Sequence, residues 1–231
     1  MNPLLVLLPG MMCDARLFAP QIGALSAGRA IHCAPLGETD TVDGLAEAVL
    51  RDAPPHFALA GLSMGGIVAM AVLAAAPERV ARLALLDTNP LAENEAMRAK
   101  RGPQMERALG GGLAAVMREE MKPHYLAHHA RRTEILDLCV EMALALGPQV
   151  FCNQSRALRD RPDRQAVLRE VRVPTLVLCG REDELCPLAR HELMRDLVPG
   201  AHLTVIDDAG HLPTLEKPQE TTAALARWLE E

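Results

Sequence analysis

Ser63 stands in GLSMGG, residues 61–66, a single hydroxyl among glycines directly after one apolar run and directly before another. A serine hydroxyl is a weak nucleophile at neutral pH. It needs a base within hydrogen-bond reach and donors waiting for the oxyanion that forms when it attacks a carbonyl. A sharp strand-to-helix turn would expose it in a strained backbone, and crowding two residues to either side would explain why Gly61 and Gly65 lack side chains. Gly66 would let the following helix lie close to the sheet. The same letters also make an ordinary turn, because Gly and Ser are turn residues anywhere. The argument for chemistry is the context, a strand before and a helix after. That helix would aim its free amides and the positive end of its dipole at the site.

His211 in DDAGHLPTLEKP is the candidate base, in a loop after the last strand-like run. For the acid that orients it there are two candidates after strands, Asp183 in CGREDELCP and Asp87 in LLDTNP. Both loops would leave the same edge of the sheet, so spacing does not exclude either, and Asp183 is favoured. Glu182 and Glu184 read as solvated loop charges, and Asp207 and Asp208 as turn formers. The oxyanion hole would use two backbone amides, Met64 after the nucleophile and Met11 in PGMMCDARLF after the first strand. His124 and His128 in HYLAHH would sit one helical turn apart, as some metal pairs do. No third ligand accompanies them, so they read as a polar helix face or pocket lining. His32, His56, His191 and His202 have no companion motif.

The elements that must hold these groups are legible as alternation. Apolar runs at 3–8, 30–36, 57–62, 82–87, 175–180 and 202–207 lack polar alternation and read as strands buried on both faces. Helix-like stretches lie between them at 17–27, 42–52, 65–76, 188–197 and 218–229. This predicts an α/β fold, a mostly parallel six-stranded sheet with helices on both faces. Loops at the carboxyl ends of such strands carry the ligand site, and a first strand beside the third would place their loops across a switch-point crevice. From 91 to 170 no convincing strand appears, only helical segments, which predicts a helical lid inserted in a single domain spanning 1–231.

Composition narrows the function. The 231 residues suffice for a full core, and 2% aromatic content with a net charge of -6 argues against a nucleic-acid or anionic-membrane partner. Residues 91–165 carry 12 Lys plus Arg against 10 Asp plus Glu, leaving 12 against 20 elsewhere. This reads as a solvated helical face or, alternatively, as an entrance tolerant of anions. The six cysteines show neither CxxC nor metal-ligand spacing and read as reduced, mostly as small buried hydrophobes. No cofactor or metal is called for. The N-terminus lacks a basic region and a long apolar run, so the expected location is cytoplasmic.

Taken together, Ser63 in GLSMGG, Asp183 in GREDELCP and His211 in GHLPTLEKP resemble the α/β-hydrolase fold family over essentially the whole chain, in that family's order of nucleophile, acid and histidine. The chain looks like the small microbial branch of carboxylesterases and enol-lactonases. The family often has His-Gly at the oxyanion loop, where this chain has Pro9-Gly10. The resemblance implies a serine hydrolase acting on carboxylic esters of small or medium acyl groups, the substrate free or carrier-bound. A lactonase or thioesterase would use the same triad, and a ligand-binding protein could keep the fold without the chemistry.

Overall fold

In the computed structural model, which describes residues 3–121, 124–128 and 131–231, six strands form one sheet: β1 (Leu4–Leu8), β2 (Ile31–Cys33), β3 (Phe57–Leu62), β4 (Val80–Leu86), β5 (Thr175–Gly180) and β6 (His202–Ile206). Their order is β2-β1-β3-β4-β5-β6, and every neighbouring pair is parallel. The chain moves outward from β1 to β2 and then returns to the other side of β1. The loops after β1 and β3 therefore flank a switch point.

Strand side chains alternate between two cores. Leu5, Leu7, Ala58, Ala60, Leu86 and Leu178 share one with Phe18, Leu225 and Trp228, which belong to or adjoin α1 (Ala19–Leu25) and α10 (Pro218–Glu230). Val6, Leu8, Leu59, Leu83, Leu85 and Val177 share the other with α2 (Val42–Asp52), α3 (Met64–Ala75) and α8 (Leu188–Leu197). Period-two alternation with both faces covered is why the central strands read as unbroken apolar runs. The two edge strands depart from that expectation. β2 is half-buried throughout, and β6 is exposed or half-buried except at Ile206, because each has a neighbour on one side only.

Local signals set the helix ends. Thr41 caps α2 by accepting from the Gly44 amide at 3.1 Å, and Asp43 sits in its first turn where the dipole favours an acid. Pro77 follows α3, and Pro218 opens α10, where its missing N–H costs nothing. The expected helix at 17–27 is split into a 3₁₀ turn, Ala15–Phe18, and the short α1, with Pro20 at the start of the latter.

Between β4 and β5 the described residues are helical: α4 (Glu95–Arg107), α5 (Leu113–Ala115) with π-helical turns on either side, α6 (Arg132–Arg159) and α7 (Gln165–Arg169). α4 packs on α6, whereas α7 returns to pack between α3 and α8. Among the described residues α6 is the one helix long and apolar enough to cross a membrane. It is broken at Gly147, with φ 84, followed by Pro148, and it buries Ile135, Cys139, Met142, Phe151 and Cys152 within the protein. Five of the six cysteines are buried, and burial pushes the half-buried Cys33 thiol up to about 11.

α3 crosses β1 and β3 at very close range. A Cβ on Gly65 would stand 2.0 Å from the Leu8 carbonyl oxygen, and one on Gly61 would stand 2.3 Å from the Gly65 oxygen. Both obstacles are backbone, so no rotamer change relieves them. Gly65→Ala is expected to lower stability by about 3 kcal/mol or more, the upper range of overpacking. Gly23→Ala meets nothing within 4 Å and, in the exposed middle of α1, should raise stability by roughly 0.5–1 kcal/mol. Urea denaturation of the two variants checks the contrast.

Candidate active site

Ser63 is the single residue between β3 and α3, with φ 55 and ψ -115. Such a conformation costs on the order of 1–3 kcal/mol for a residue with a side chain and persists only where the surroundings fix it. Here its amide donates to the Leu86 carbonyl at 2.9 Å. Its carbonyl accepts from the Gly66 amide at 3.0 Å, the Ile67 amide at 3.2 Å and the Thr88 hydroxyl at 2.7 Å. Thr88 is itself held, its amide donating to His191 Nε2 at 3.1 Å. His191 is fully buried, and burial lowers its pKa to about 4, so at neutral pH Nε2 keeps the lone pair that this bond requires.

His211 is presented by an equally constrained loop. Glu216, on the short helix α9 (Pro213–Glu216), reaches back so that Oε1 accepts from the Gly210 and Leu212 amides at 3.0 Å each, while Oε2 accepts from Ala127 at 2.9 Å. The His211 amide donates to the Tyr125 carbonyl at 2.7 Å, and the two rings meet edge-on at 5.5 Å. The imidazole then has one partner on each nitrogen: Nε2 lies 2.8 Å from Ser63 Oγ, and Nδ1 lies 2.8 Å from Asp183 Oδ2. The other Asp183 oxygen accepts from the Leu185 and Cys186 amides at 2.8 and 3.0 Å.

Burial pushes the Asp183 pKa up, but the His211 charge, its ring hydrogen bond and the Cys186 and Leu185 amides outweigh that, leaving it below the usual carboxylate range. An ionised Asp183 accepts, so the His211 proton sits on Nδ1 and Nε2 is free to accept from the Ser63 hydroxyl. Asp87, the rival acid, lies beside this group but not on the histidine. Its Oδ1 accepts from the Gly180 amide at 2.9 Å, while Oδ2 is buried with no donor among the described residues. Burial first, and then the Asp183 charge, raise the Asp87 pKa well above the usual range in spite of the Gly180 amide. Asp87 is therefore the neutral member of the pair.

Met11 and Met64 both line the cavity that contains Ser63 and His211. The Cys13 amide closes a turn onto the Gly10 carbonyl at 3.1 Å, with Met12 at φ 56. Among the described residues neither the Met11 amide nor the Met64 amide, the first of α3, has an acceptor. Gln154 of α6 fixes this loop from behind, accepting from the Met12 amide at 2.8 Å and donating to the Leu36 carbonyl.

The cavity has a volume of about 450 Å³ and opens at the carboxyl ends of the strands. A hollow of equal volume at the opposite end, lined by Pro3, Arg29 and Arg82, contains none of these residues. Methionines and leucines line the cavity that contains Ser63, but so do Arg101, Arg161 and Glu93. The helical spacing expected of His124 and His128 is absent, since 125–128 is irregular, and His124 Nδ1 pairs with Glu184 at 3.2 Å.

The model of the Alpha/beta hydrolase family matches residues 5–225. This chain belongs to that family. Among similar proteins, the pimeloyl-[acyl-carrier protein] methyl ester esterase of Aromatoleum aromaticum is 29% identical, over 95% of each chain. A malate-bound thermophilic esterase from Thermogutta terrifontis is 26% identical with a TM-score of 0.91, over 100% of this chain and 90% of that one. The enol-lactonase of Burkholderia xenovorans LB400, 23% identical with a TM-score of 0.87 over 100% of this chain and 92% of that one, shares the fold. Within this α/β-hydrolase, Thr88, His191, Glu216 and Gln154 support the site and were not singled out from sequence. Their partners lie from 4 to 142 positions away. Only Glu216, near the start of a helix in GHLPTLEKP, left a local trace.

Asp87→Asn should preserve the contact with the Gly180 amide, since the amide oxygen can accept from it. The carboxyl it replaces has a raised folded pKa, so its proton is released more readily on unfolding. That penalty is absent below the unfolded pKa and grows as pH rises through it. Asp87→Asn is thus expected to be more stable than wild type by about 1 kcal/mol or more at pH 7, with the gain vanishing near pH 4. Urea midpoints at the two pH values measure this, and a pH-independent difference would contradict a neutral Asp87.

Proposed function

We propose that this α/β-hydrolase is a serine hydrolase of carboxylic esters that works through an acyl-enzyme. The observation that carries the reading is the pair of 2.8 Å hydrogen bonds joining Ser63 Oγ, His211 and Asp183 at the mouth of the cavity. Ser63 Oγ attacks the ester carbonyl while His211 Nε2 takes its proton. The negative oxygen of the tetrahedral intermediate enters the space before the Met11 and Met64 amides, which are donors fixed in place before reaction. His211 returns the proton to the leaving alkoxide, Asp183 stabilises the imidazolium, and a water activated by the same histidine releases the acid. No step calls on a cofactor.

Residues 91–170 act as the lid of a single domain. Met97, Met121 and Leu158 from this stretch, with Met11 and Ile67, supply apolar wall for a small or medium acyl chain. The relatives named for a carrier-bound methyl ester and for esterase activity support an ester substrate.

A p-nitrophenyl ester panel of graded acyl length tests the reading. Ser63→Ala and His211→Ala should each lower kcat by at least about 10⁴-fold and Asp183→Asn by about 10³ to 10⁴, whereas Asp87→Asn should lose less than about 10-fold. Equal loss in Asp87→Asn with little in Asp183→Asn would transfer the acid role to Asp87. Undiminished turnover in Ser63→Ala would sink the acyl-enzyme.

A further inference from the structure

The cavity beside Ser63 contains two arginines that acyl transfer leaves unused. Arg101, on α4, and Arg161, just beyond α6, both line it, and each side chain is only 7% exposed. They share one carboxylate: Arg101 Nη2 donates to Glu93 Oε2 at 2.8 Å, and Arg161 Nη2 lies 3.0 Å from Glu93 Oε1. Two guanidiniums on one carboxylate leave a positive charge in excess at a place that water barely reaches. A fold keeps such a charge at considerable cost.

The two arginines differ in how their donors are spent. Arg161 is tied to the backbone, donating from Nε to the Leu91 carbonyl at 3.0 Å and from Nη1 to the Leu158 carbonyl at 3.3 Å. Arg79, elsewhere in the fold, likewise spends its fork on the carbonyls of Leu50, Ala53 and Pro54. Among the described residues Arg101 meets no carbonyl. Besides Glu93 it meets there only Met11 Sδ at 3.4 Å, a weak acceptor. Its buried Nε lacks an acceptor among these residues, as Arg79 Nε does, so the difference between the two is the three carbonyls that Arg79 has and Arg101 lacks. A purely structural arginine would be better satisfied. Through Met11, Arg101 also stands one side chain away from the oxyanion loop.

We infer that the cavity takes esters bearing a second, anionic group, a carboxylate at the far end of the acyl chain, and that Arg101 together with Arg161 recognises it. The inference rests on the ester-hydrolase reading and names its substrate class: half-esters of dicarboxylic acids. One excess positive charge matches a carboxylate monoanion, whereas a phosphate dianion would leave negative charge uncompensated in the same low-dielectric space. The planar guanidinium suits a carboxylate because two N–H groups can meet two oxygens. Lys100 and Arg190 add positive charge to the cavity lining, while Glu120 and Glu184 there are paired with Arg107 and His124.

The test compares monomethyl adipate with methyl hexanoate, which have the same chain length and differ in the terminal carboxylate. Wild-type kcat/KM should be at least about 10-fold higher for the half-ester, the scale of one charged hydrogen bond. In Arg101→Met that preference should collapse; both rates come from one preparation, so their ratio is insensitive to partial unfolding. Glu93→Gln, which removes the competing carboxylate, should strengthen inhibition by adipate, an effect that a merely structural ion cluster does not produce. Independently of any variant or turnover, adipate should raise the wild-type Tm and hexanoate should not.

Equal kcat/KM for the two esters, or an intact preference in Arg101→Met, overturns the carboxylate subsite and leaves the ester hydrolase standing. Turnover of neither ester while adipate still raises Tm overturns the hydrolase reading and keeps the anion site. Turnover of neither, with no shift in Tm, overturns both.

Discussion

The left-handed backbone at Ser63 is the constraint on which the rest of this structure depends. With one residue to join β3 to α3, the chain must reverse within a single φ/ψ pair, and a residue with a Cβ does not hold φ 55 unaided. The surroundings hold it from three directions: β4 takes the serine amide, the first turn of α3 and the Thr88 hydroxyl take its carbonyl, and backbone approaching Gly61 and Gly65 leaves no room for another path. The strain is local and the restraint is global. That division lets a small polar side chain stand half-exposed at the end of a fully buried strand.

The electrostatics follow from how little water reaches the two carboxyls behind the histidine. Asp87 and Asp183 are both buried, and a site of this size does not hold two bare negative charges. The hydrogen bonds decide which one ionises. Asp183 has two amides and the imidazole, enough to stabilise a carboxylate, whereas Asp87 has one amide and a charged neighbour. The outcome is an ionised group in contact with His211 and a neutral one behind it. The same reasoning extends to His191, kept neutral by burial so that it can accept from Thr88 and so steady the serine turn.

The helical stretch between β4 and β5 contributes more than cover. Gln154 braces the loop that offers the Met11 amide, and Tyr125 receives the His211 amide through its carbonyl. The stretch also brings Arg101 and Arg161 to the cavity wall, so that its modest surplus of positive charge is concentrated where a substrate would lie. Core and covering helices thus build one site from two sources, with the sheet supplying the reacting groups and the helices fixing the loops that present them.

The sequence by itself determined the sheet, its covering helices and the order in which Ser63, Asp183 and His211 occur. Apolar runs buried on both faces, proline stops and a glycine-flanked serine are signals carried by neighbouring residues, so they survive without knowledge of the fold. α2 and α8 match their expected bounds for that reason, while the edge strands β2 and β6 do not match the expected burial because edge position is a property of the whole sheet. Tertiary structure alone decided which aspartate meets His211, that the other is neutral, and that Gln154, His191 and Glu216 brace the loops. It also decided where Arg101, Arg161 and Glu93 converge. These outcomes depend on distances between residues far apart in the chain and on exclusion of water from the space they share, and neither quantity is written in any local pattern.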